Sequence, residues 1–237
     1  MRKVLPGRPL PDPRSVTPDA DGFVFAGGSL TADALIQAYQ DGYFPWDWRK
    51  PYPWYSPDPR CVLEVERFHG SASLAKRARQ GRFEVRYDHD LLGVVRACAT
   101  TKRAGEPGTW ITPRLERVYG VLFEAGLAHT VEVWIDGRLA GGLFGLGLGA
   151  VFHGESMFAR VADASKLALW DLCLRFGLAG GAVIDCQAET PHLRSLGASR
   201  LPREGYLSAL PAWNAVDVSW DRVVAAPGLR AMRRAAD

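Results

Sequence analysis

The sequence predicts a mixed α/β fold in which a mostly antiparallel sheet carries helices on its faces. The clearest evidence is a hairpin. Residues 130–135 and 138–144 are rich in apolar and β-branched side chains and flank Asp136-Gly137, a dipeptide typical of a two-residue turn with positive φ. A predicted helix over 163–176 and a predicted strand over 181–187 follow later in the chain. Hairpin strands followed by a strand–helix–strand order indicate a mixed sheet.

Signals at the ends of segments predict the other elements. Thr31 or Ser29 is expected to cap the first helix, and Thr112 is expected to cap a later one. Asp163 and Gly177 are expected to begin and end the helix that is apolar on more than one face, which indicates a buried helix. The remaining helices are predicted over 29–40, 71–80, 90–98 and 113–124, and the remaining strands over 83–87 and 150–158.

Length and composition fit one large domain or two modest ones. The chain has 237 residues, of which 47% are hydrophobic and 23% are charged, so it can bury a core and is not a disordered chain. Residues 43–60 are rich in proline and aromatic residues, which predicts a rigid, irregular segment. We therefore place a boundary near residue 62, between a small N-terminal domain over 1–62 and a second domain over 63–237 that ends in a short tail.

The sequence argues against several classes of protein. The N-terminus lacks the apolar stretch of a secretory signal, and the longest apolar run, residues 141–152, is short and contains five glycines. We therefore expect neither a secreted protein nor a membrane-spanning helix. The four cysteines include no CxxC pair and the five histidines include no HxxxH pair, so the sequence predicts neither a metal site nor a disulfide framework.

The net charge of +3 is too small to indicate a nucleic-acid-binding protein, but the charges are unevenly distributed. Six basic residues over positions 67–86 are accompanied by only two acidic ones, Glu66 and Glu84, and Arg230, Arg233 and Arg234 form a second basic stretch. A basic helix is more often a solvated face than a phosphate-binding surface. The first stretch becomes a candidate RNA surface only if another feature of the chain calls for RNA.

Asp185 and Gln187 end a strand that is predicted to be buried. Because side chains alternate along a strand, these two residues are expected to share one face, with Cys186 on the other. A carboxylate beside a carboxamide could position and polarise an attacking amine. On spacing alone, an ion-paired aspartate and a surface glutamine are the commoner arrangement, and Glu155 leaves the same alternatives open.

Other motifs carry weaker signals. Residues 154–158, GESMF, lack the final glycine of the serine-hydrolase elbow, and the glycines over 142–149 do not lie at a strand-to-helix turn, as a dinucleotide site requires. His153 and His192 are candidate general bases by residue type only, and such histidines more often simply form hydrogen bonds.

Seven segments in a fixed order together resemble the leucyl/phenylalanyl-tRNA–protein transferase family. They are 42–46 (GYFPW), 54–60 (WYSPDPR), 108–111 (GTWI), 129–134 (HTVEVW), 154–158 (GESMF), 164–166 (ASK) and 184–187 (IDCQ). The resemblance implies a cytoplasmic enzyme that transfers Leu or Phe from aminoacyl-tRNA to proteins beginning with Lys or Arg, in the N-degron pathway of protein degradation. It also implies a second domain with an acetyltransferase-like (GNAT) fold, and no metal or coenzyme. We expect a monomer with no membrane partner.

The resemblance also implies roles for particular residues. Asp185 would orient Gln187, Gln187 would hold the incoming amine or its proton, and Glu155 would serve the acceptor side. The site would be lined by Trp46 and Trp110, which would stack on the terminal adenosine or the acceptor peptide. The pocket for the aminoacyl side chain would be shaped by Leu143, Phe152, Met157 and Leu172. The acceptor-stem phosphates would be bound by Lys76, Arg77, Arg79 and Arg82.

The chain departs from the family pattern at two pocket positions, because Leu143 and Leu172 stand where Met and Phe are common. We therefore expect a preference for Leu over Phe as the donor residue. An acetyl-CoA-dependent N-acyltransferase is the alternative enzyme, since residues 138–142 (RLAGG) resemble a pyrophosphate-binding signature, although inside a hairpin. A non-enzymatic RNA-binding module is a third class, supported only by the basic stretch.

Overall fold

The computed structural model describes residues 3–4, 8–101, 109–229 and 231, and it confirms the mixed α/β class with one four-stranded and one seven-stranded sheet. Gly108 of the GTWI segment and the arginines Arg230, Arg233 and Arg234 lie outside the described residues. Within the described ranges, no helix has both the length and the apolar character that crossing a membrane requires.

The smaller sheet is built from N-terminal residues. Its strands are β1 (Lys3–Val4), β2 (Phe23–Gly27), β3 (Phe44–Pro45) and β4 (Pro53–Tyr55), in the order β1-β2-β4-β3. The expectation of an irregular segment is wrong for β3 and β4, because tertiary partners order both. Trp54 is fully buried, stacks on Phe25 and donates its indole N–H to the carbonyl of Gly27 at 3.0 Å.

The larger sheet is mostly antiparallel, with one parallel pair. Its strands are β5 (Arg60–Glu64), β6 (Glu84–Tyr87), β7 (Ala128–Ile135), β8 (Arg138–Leu148), β9 (Val151–Ala159), β10 (Val183–Gln187) and β11 (Ser199–Leu201). They are arranged in the order β11-β5-β10-β9-β8-β7-β6, and β9 runs parallel to β10. The hairpin, the third strand and the returning strand of the sequence prediction therefore lie next to one another.

Helices cover both faces of this sheet. They are α1 (Ala32–Gln40), α2 (Ala72–Gln80), α3 (Leu91–Thr100), α4 (Pro113–Glu124), α5 (Ala164–Leu178), α6 (Pro191–Ser195), α7 (Arg203–Asn214) and α8 (Trp220–Ala225). Two short 3-10 turns, Pro13–Ser15 and Val65–Arg67, complete the helical segments of the described residues.

Local end signals in the sequence are confirmed where they act through the backbone nearby. Thr112 caps α4, and Thr31 rather than Ser29 caps α1, since each threonine hydroxyl accepts a hydrogen bond from the backbone N–H three residues later. Asp136 and Gly137 have φ values of 49° and 71°, as the two-residue hairpin turn requires.

The ends of α5 differ from the prediction. The helix continues through Gly177 to Leu178, and a β carbon at Gly177 would lie 3.1 Å from Val65, so glycine permits close packing there. Asp163 precedes the helix but makes no side-chain capping hydrogen bond. Its carboxylate instead pairs with Lys166 at 3.0 Å and Arg77 at 3.2 Å.

An apolar core lies on each face of the larger sheet. Leu143 and Phe144 are neighbours on β8 and belong to different cores: Leu143 packs with residues of α2 and α5, and Phe144 packs with residues of α1, α3 and α4. Phe25 and Trp54 of the smaller sheet belong to the same core as Phe144. Apolar packing is therefore continuous across the boundary expected near residue 62.

Candidate active site

A cleft of about 710 Å³ opens at the end of the parallel strand pair β9–β10. Among the described residues, the pairing of these strands ends with His153 opposite Asp185, and residues 155–159 of β9 and 186–187 of β10 line the cleft. The cleft is lined by Phe44, Pro45, Trp46, Thr101, Trp110, Glu155, Ser156, Met157, Phe158, Ala159, Ser165, Cys186, Gln187, Ala188, Thr190, His192 and Leu193.

An apolar pocket of about 130 Å³ adjoins the cleft on the side of α5. It shares Glu155, Met157 and Gln187 with the cleft. The apolar pocket is lined by Leu143, Phe152, Gly154, Glu155, Ser156, Met157, Leu169, Ile184, Cys186, Gln187 and Leu193. A carboxylate and a carboxamide thus lie where an apolar pocket meets an open cleft.

Asp185 is fully buried behind the cleft wall and is surrounded by hydrogen-bond donors. Arg60 donates from Nε to Oδ1 at 2.8 Å and from Nη2 to Oδ2 at 2.6 Å. His153 Nδ1 and the Tyr206 hydroxyl each donate to Oδ2 at 2.9 Å. Burial alone would raise the pKa of Asp185, but the Arg60 guanidinium and the other donors hold it well below its usual range. The carboxylate therefore stays ionised.

Gln187 does not share the face of Asp185, which differs from the alternation expected for a regular strand. A bulge interrupts the pairing of β10 with β5 between Asp185 and Gln187, and Gln187 has a φ of 63°. Its backbone N–H donates to Asp185 Oδ1 at 3.0 Å, and its side chain lines both the cleft and the apolar pocket. The carboxamide nitrogen is buried and has no hydrogen-bond partner among the described residues, so it can bind a substrate atom.

Glu155 lines the cleft and is almost completely buried. The hydroxyl groups of Tyr39 and Tyr119 both donate to Oε1, the latter at 2.6 Å. Burial raises the pKa of Glu155 to about 7, although these two hydrogen bonds favour the ionised form. A carboxyl group with such a pKa can bind a cation as carboxylate or lose its charge at little cost near neutral pH.

Tyr39 and Tyr119 belong to no motif that marks them as site residues in the sequence. Tyr39 belongs to the predicted helix 29–40 and Tyr119 to the predicted helix 113–124, where both look like ordinary core residues. A buried tyrosine needs a partner for its hydroxyl group, and that rule is the one available signal. It does not identify the partner.

The two candidate histidines occupy different positions. His153 is fully buried against Asp185 and its ring lies 4.5 Å from that of Tyr39, so it does not reach the cleft. Burial lowers its pKa, which favours the neutral ring. His192 lines the cleft, and partial burial together with nearby Lys166 lowers its pKa as well.

Trp46 and Trp110, which the family resemblance implies as site residues, both line the cleft. Trp46 is 42% exposed and its ring packs against Tyr55 and Phe44, with centroid distances of 5.4 and 5.8 Å. An exposed indole held from behind by other rings is suited to stacking on a base or binding a cation.

Three of the four predicted pocket residues, Leu143, Phe152 and Met157, line the apolar pocket. Leu172 does not line it but is fully buried in the core behind, while Leu169, one turn earlier on α5, faces the pocket. A pocket-facing helix residue recurs at intervals of three or four. That spacing makes Leu169 a candidate as well as Leu172, but the sequence does not show how α5 is rotated about its axis and so which of the two faces the pocket.

The basic residues of the predicted RNA surface are exposed on and just after α2. Lys76, Arg79 and Arg82 are exposed, and Arg77 pairs with Asp163 at 3.2 Å. Asp163 precedes α5, whose residue Ser165 lines the cleft, so the ion pair with Arg77 places α2 near the cleft. Within the part of the chain that the structure describes, no group of three His, Cys, Asp or Glu residues could hold a metal ion.

Two family models match the chain. A model described as leucyl/phenylalanyl-tRNA protein transferase matches residues 62–211, and one described as the N-terminal domain of that protein matches residues 28–58. The two matches together include all of the described residues that line the cleft.

Curated relatives that carry the name leucyl/phenylalanyl-tRNA–protein transferase are similar over most of their length. The protein of Chromohalobacter salexigens is 50% identical over 210 residues, which cover 88% of this chain and 82% of the relative. The Thiobacillus denitrificans protein is 47% identical over 193 residues, covering 81% and 84%. The Aromatoleum aromaticum protein is 46% identical over 211 residues, covering 88% and 89%.

Replacing Glu155 with Gln should stabilise the protein at high pH. Because the pKa of Glu155 is about 7 in the folded state and near 4.5 as a free group, its contribution to stability is full below pH 4.5 and is lost as the pH rises through 7. We expect Glu155→Gln to raise the free energy of unfolding by about 1–3 kcal/mol at pH 8 and to leave it unchanged at pH 5. Urea unfolding at both pH values measures the difference.

Glu132 provides the matched control. Its buried carboxylate accepts hydrogen bonds from the backbone N–H groups of His89 and Asp90, from the Thr130 hydroxyl and from the Trp134 indole N–H. Because an amide nitrogen cannot replace an accepting oxygen, Glu132→Gln should lower stability at both pH values. A Glu155→Gln variant that loses stability at pH 8 would contradict the assigned environment of Glu155.

Proposed function

The chain belongs to the leucyl/phenylalanyl-tRNA protein transferase family, and we propose that it transfers leucine or phenylalanine from aminoacyl-tRNA to the N-terminal amine of proteins that begin with Lys or Arg. The observation that carries this proposal is the cleft itself, in which Gln187 and Glu155 lie between an apolar pocket and two tryptophans. The products would be marked for degradation in the N-degron pathway. Since aminoacyl-tRNA is a cytoplasmic substrate, we place the enzyme in the cytoplasm, where it acts as a monomer.

The apolar pocket suits the side chain of the donor residue. Its volume of about 130 Å³ is close to that of an apolar protein cavity of about 150 Å³ that binds benzene. A leucine side chain or a phenyl ring would therefore fit, whereas a charged side chain would have to give up its hydration. With this side chain in the pocket, the ester carbon lies at the pocket mouth, beside Gln187.

Gln187 would hold the two reacting groups together. The carboxamide offers both an acceptor oxygen for an N–H of the attacking amine and N–H donors for the oxyanion that develops on the ester carbonyl. The ester bond already stores the energy for peptide bond formation, so the enzyme has to align the groups and stabilise charge. The bond from the ester carbon to the tRNA 3′ oxygen breaks as the new C–N bond forms, and the amine proton passes to the leaving oxygen.

Glu155 would select the acceptor. Its carboxylate lies in the cleft wall and can pair with the cationic side chain or the amine of an N-terminal Lys or Arg. Trp46 presents an exposed indole at the same cleft, and a guanidinium or ammonium group can also bind to such a ring. Because the amine must be neutral to attack, the rate should rise with pH through the range in which Glu155 ionises.

The tRNA body would bind along α2. Lys76, Arg77, Arg79 and Arg82 lie on the side of α5, beside the cleft, where they can neutralise acceptor-stem phosphates without reading sequence. We also propose an acetyltransferase-like fold for the region after residue 62. Its support is the mostly antiparallel sheet with a single parallel pair that opens into the cleft.

The comparisons do not favour an acetyl-CoA-dependent enzyme. Residues 138–142, which resemble a pyrophosphate-binding signature, lie in the middle of the sheet on β8, and a β carbon at Gly141 would lie 2.6 Å from Ala164. One assay separates the alternatives: the protein is incubated with an Arg-initiated peptide and either labelled leucyl-tRNA or labelled acetyl-CoA. Leucyl transfer supports the proposal, and acetyl transfer without leucyl transfer would end it.

Gln187→Ala should lower kcat by about 100-fold or more while the melting temperature stays within a few degrees, since one well-placed polar group commonly contributes this much. Steady-state kinetics with leucyl-tRNA and an Arg-initiated peptide measures the loss. His192→Gln tests the other polar residue of the cleft that could act as a base, and we expect its kcat to stay within about threefold. A Gln187→Ala enzyme as fast as wild type would contradict the assignment.

Replacing Lys76, Arg77, Arg79 and Arg82 together with Gln should weaken tRNA binding and flatten its dependence on salt. Each lost phosphate contact lowers the slope of log K against log salt by somewhat less than about one unit. The control variant, Arg96→Gln with Arg117→Gln, removes exposed charges from α3 and α4 on the other face of the sheet. Equal slopes for wild type and the α2 variant would move the RNA surface elsewhere.

Leu169→Ala should shift donor choice toward Phe, because it enlarges the apolar pocket and leaves more room for a ring. An apolar change of this size alters discrimination by roughly 1–3 kcal/mol, so both donors should remain substrates. Leu167→Ala is the matched control, since Leu167 is equally buried on α5 but does not line the pocket. Competition between leucyl- and phenylalanyl-tRNA in one tube measures the ratio, and the same ratio in both variants would contradict the pocket assignment.

A further inference from the structure

Arg60 is buried where the two sheets meet, and every face of its guanidinium group is in contact with protein. The side chain is 1% exposed. Two of its nitrogens donate to Asp185, at 2.8 and 2.6 Å, and Nη1 donates to the carbonyl oxygen of Gly42 at 3.2 Å. The rings of Phe44 and Tyr206 each lie 4.7 Å from the guanidinium carbon. The group therefore cannot touch a substrate.

Arg60 is connected to Gln187 through the carboxylate of Asp185. Asp185 Oδ1 accepts from Arg60 and also from the backbone N–H of Gln187. Gln187 is not a glycine but has a φ of 63°, a conformation that persists only when surrounding contacts hold it. If Asp185 lost its cationic partner, this buried carboxylate would take up a proton and hold the Gln187 N–H less strongly. The carboxamide would then leave its place in the cleft wall.

Arg60 is also connected to the aromatic residues that line the cleft, through Gly42 and Phe44. Gly42, whose carbonyl binds Arg60, has a φ of 83° and directly precedes the segment that contains Phe44 and Trp46. Phe44 both contacts Arg60 and lines the cleft. Arg60 thus connects the segment that carries Trp46 with the strand that carries Gln187, and both of these residues line the cleft.

Stability alone does not account for this arrangement. Buried ion pairs can often be replaced by apolar side chains without loss of stability, because removing two charges from water costs about as much as their attraction returns. We propose that Arg60 is a positioning residue that, through Asp185 and Gly42, fixes Gln187 relative to the Trp46 wall and so aligns the donor ester with the acceptor amine. This inference rests on the proposed transfer reaction.

Arg60→Lys tests the inference, because lysine keeps the charge but cannot donate to Asp185 and Gly42 at the same time in the geometry of the fork. A misplacement of about 1 Å at reacting groups commonly costs on the order of 100-fold in rate. We therefore expect kcat to fall by about that factor, while KM for leucyl-tRNA stays within about threefold because the tRNA body binds on α2. The amide proton of Gln187 should also move upfield in a ¹⁵N–¹H spectrum as its hydrogen bond to the carboxylate weakens.

Arg203→Lys is the matched control. Arg203 is 8% exposed and donates to Ser56 at 2.9 Å and to the carbonyl of Pro13 at 2.6 Å, so it too links the N-terminal segment to the rest of the chain, but it does not contact Asp185. We expect a comparable fall in melting temperature with kcat within about threefold of wild type and an unshifted Gln187 amide. Equal losses of kcat in the two lysine variants, measured well below both melting temperatures, would overturn the inference.

Tyr206→Phe keeps the test decisive if Arg60→Lys does not fold. It removes one uncharged donor from Asp185 and leaves the ion pair in place. We expect a smaller loss of kcat, about tenfold, with a shift of the Gln187 amide in the same direction, whereas unchanged kcat and an unshifted amide would overturn the inference. Failure of the proposed function is distinguishable, because the wild-type enzyme would then show no leucyl transfer at all.

Discussion

A buried ionised carboxylate has to be surrounded by donors, and the donors around Asp185 come from separate parts of the chain. Arg60 comes from β5, His153 from β9 and Tyr206 from α7, and the backbone of Gln187 adds a fourth. Each of these elements must therefore approach the end of β10 closely. The cleft lies directly in front of this carboxylate. The hydrogen bonds to Asp185 therefore restrict the movement of the polar wall of the cleft, where the proposed chemistry needs a fixed geometry.

Two buried carboxyl groups near the cleft have opposite properties because their surroundings differ. Asp185 faces a guanidinium group, which holds its pKa low, whereas Glu155 is surrounded by two tyrosine hydroxyls and apolar side chains, and burial raises its pKa to about 7. The charge of Asp185 also raises the pKa of Glu155. Carboxyl groups whose pKa values are pushed apart in this way commonly divide their roles. Here one is a permanent anion that positions the strand, and the other can exchange a proton or bind a cation.

The sequence predicts elements whose signals are local and misses features that depend on distant contacts. Thr112 and Asp136-Gly137 act on backbone groups next to them, so α4 and the hairpin turn follow from the sequence. The left-handed turn at Gln187 depends instead on Asp185 and Arg60, and no local residue signal announces it. The strands of the aromatic-rich segment likewise form through pairing that has no local signal, since β4 pairs with β2 and β3 pairs with β4.

The candidate site shows the same division. The family resemblance points to Asp185, Gln187 and the pocket residues, but it does not tell Leu172 from Leu169, because an all-round apolar helix carries no signal for its rotation. Tyr39 is separated from Glu155 by 116 residues, so its role appears only in three dimensions. Motifs therefore locate the cleft, and packing decides which side chains enter it.

In the proposed mechanism the two substrates are selected by different physics. An apolar pocket discriminates between Leu and Phe by size, which is limited to roughly 1–3 kcal/mol. Selection of a cationic acceptor depends on whether Glu155 is charged. At pH 7 Glu155 is protonated about half of the time. An acceptor whose first side chain is uncharged is therefore rejected only weakly at this pH. Each pH unit above 7 adds about 1.4 kcal/mol to the cost of protonating Glu155, and preference for Lys or Arg therefore strengthens as the pH rises, whereas donor preference does not.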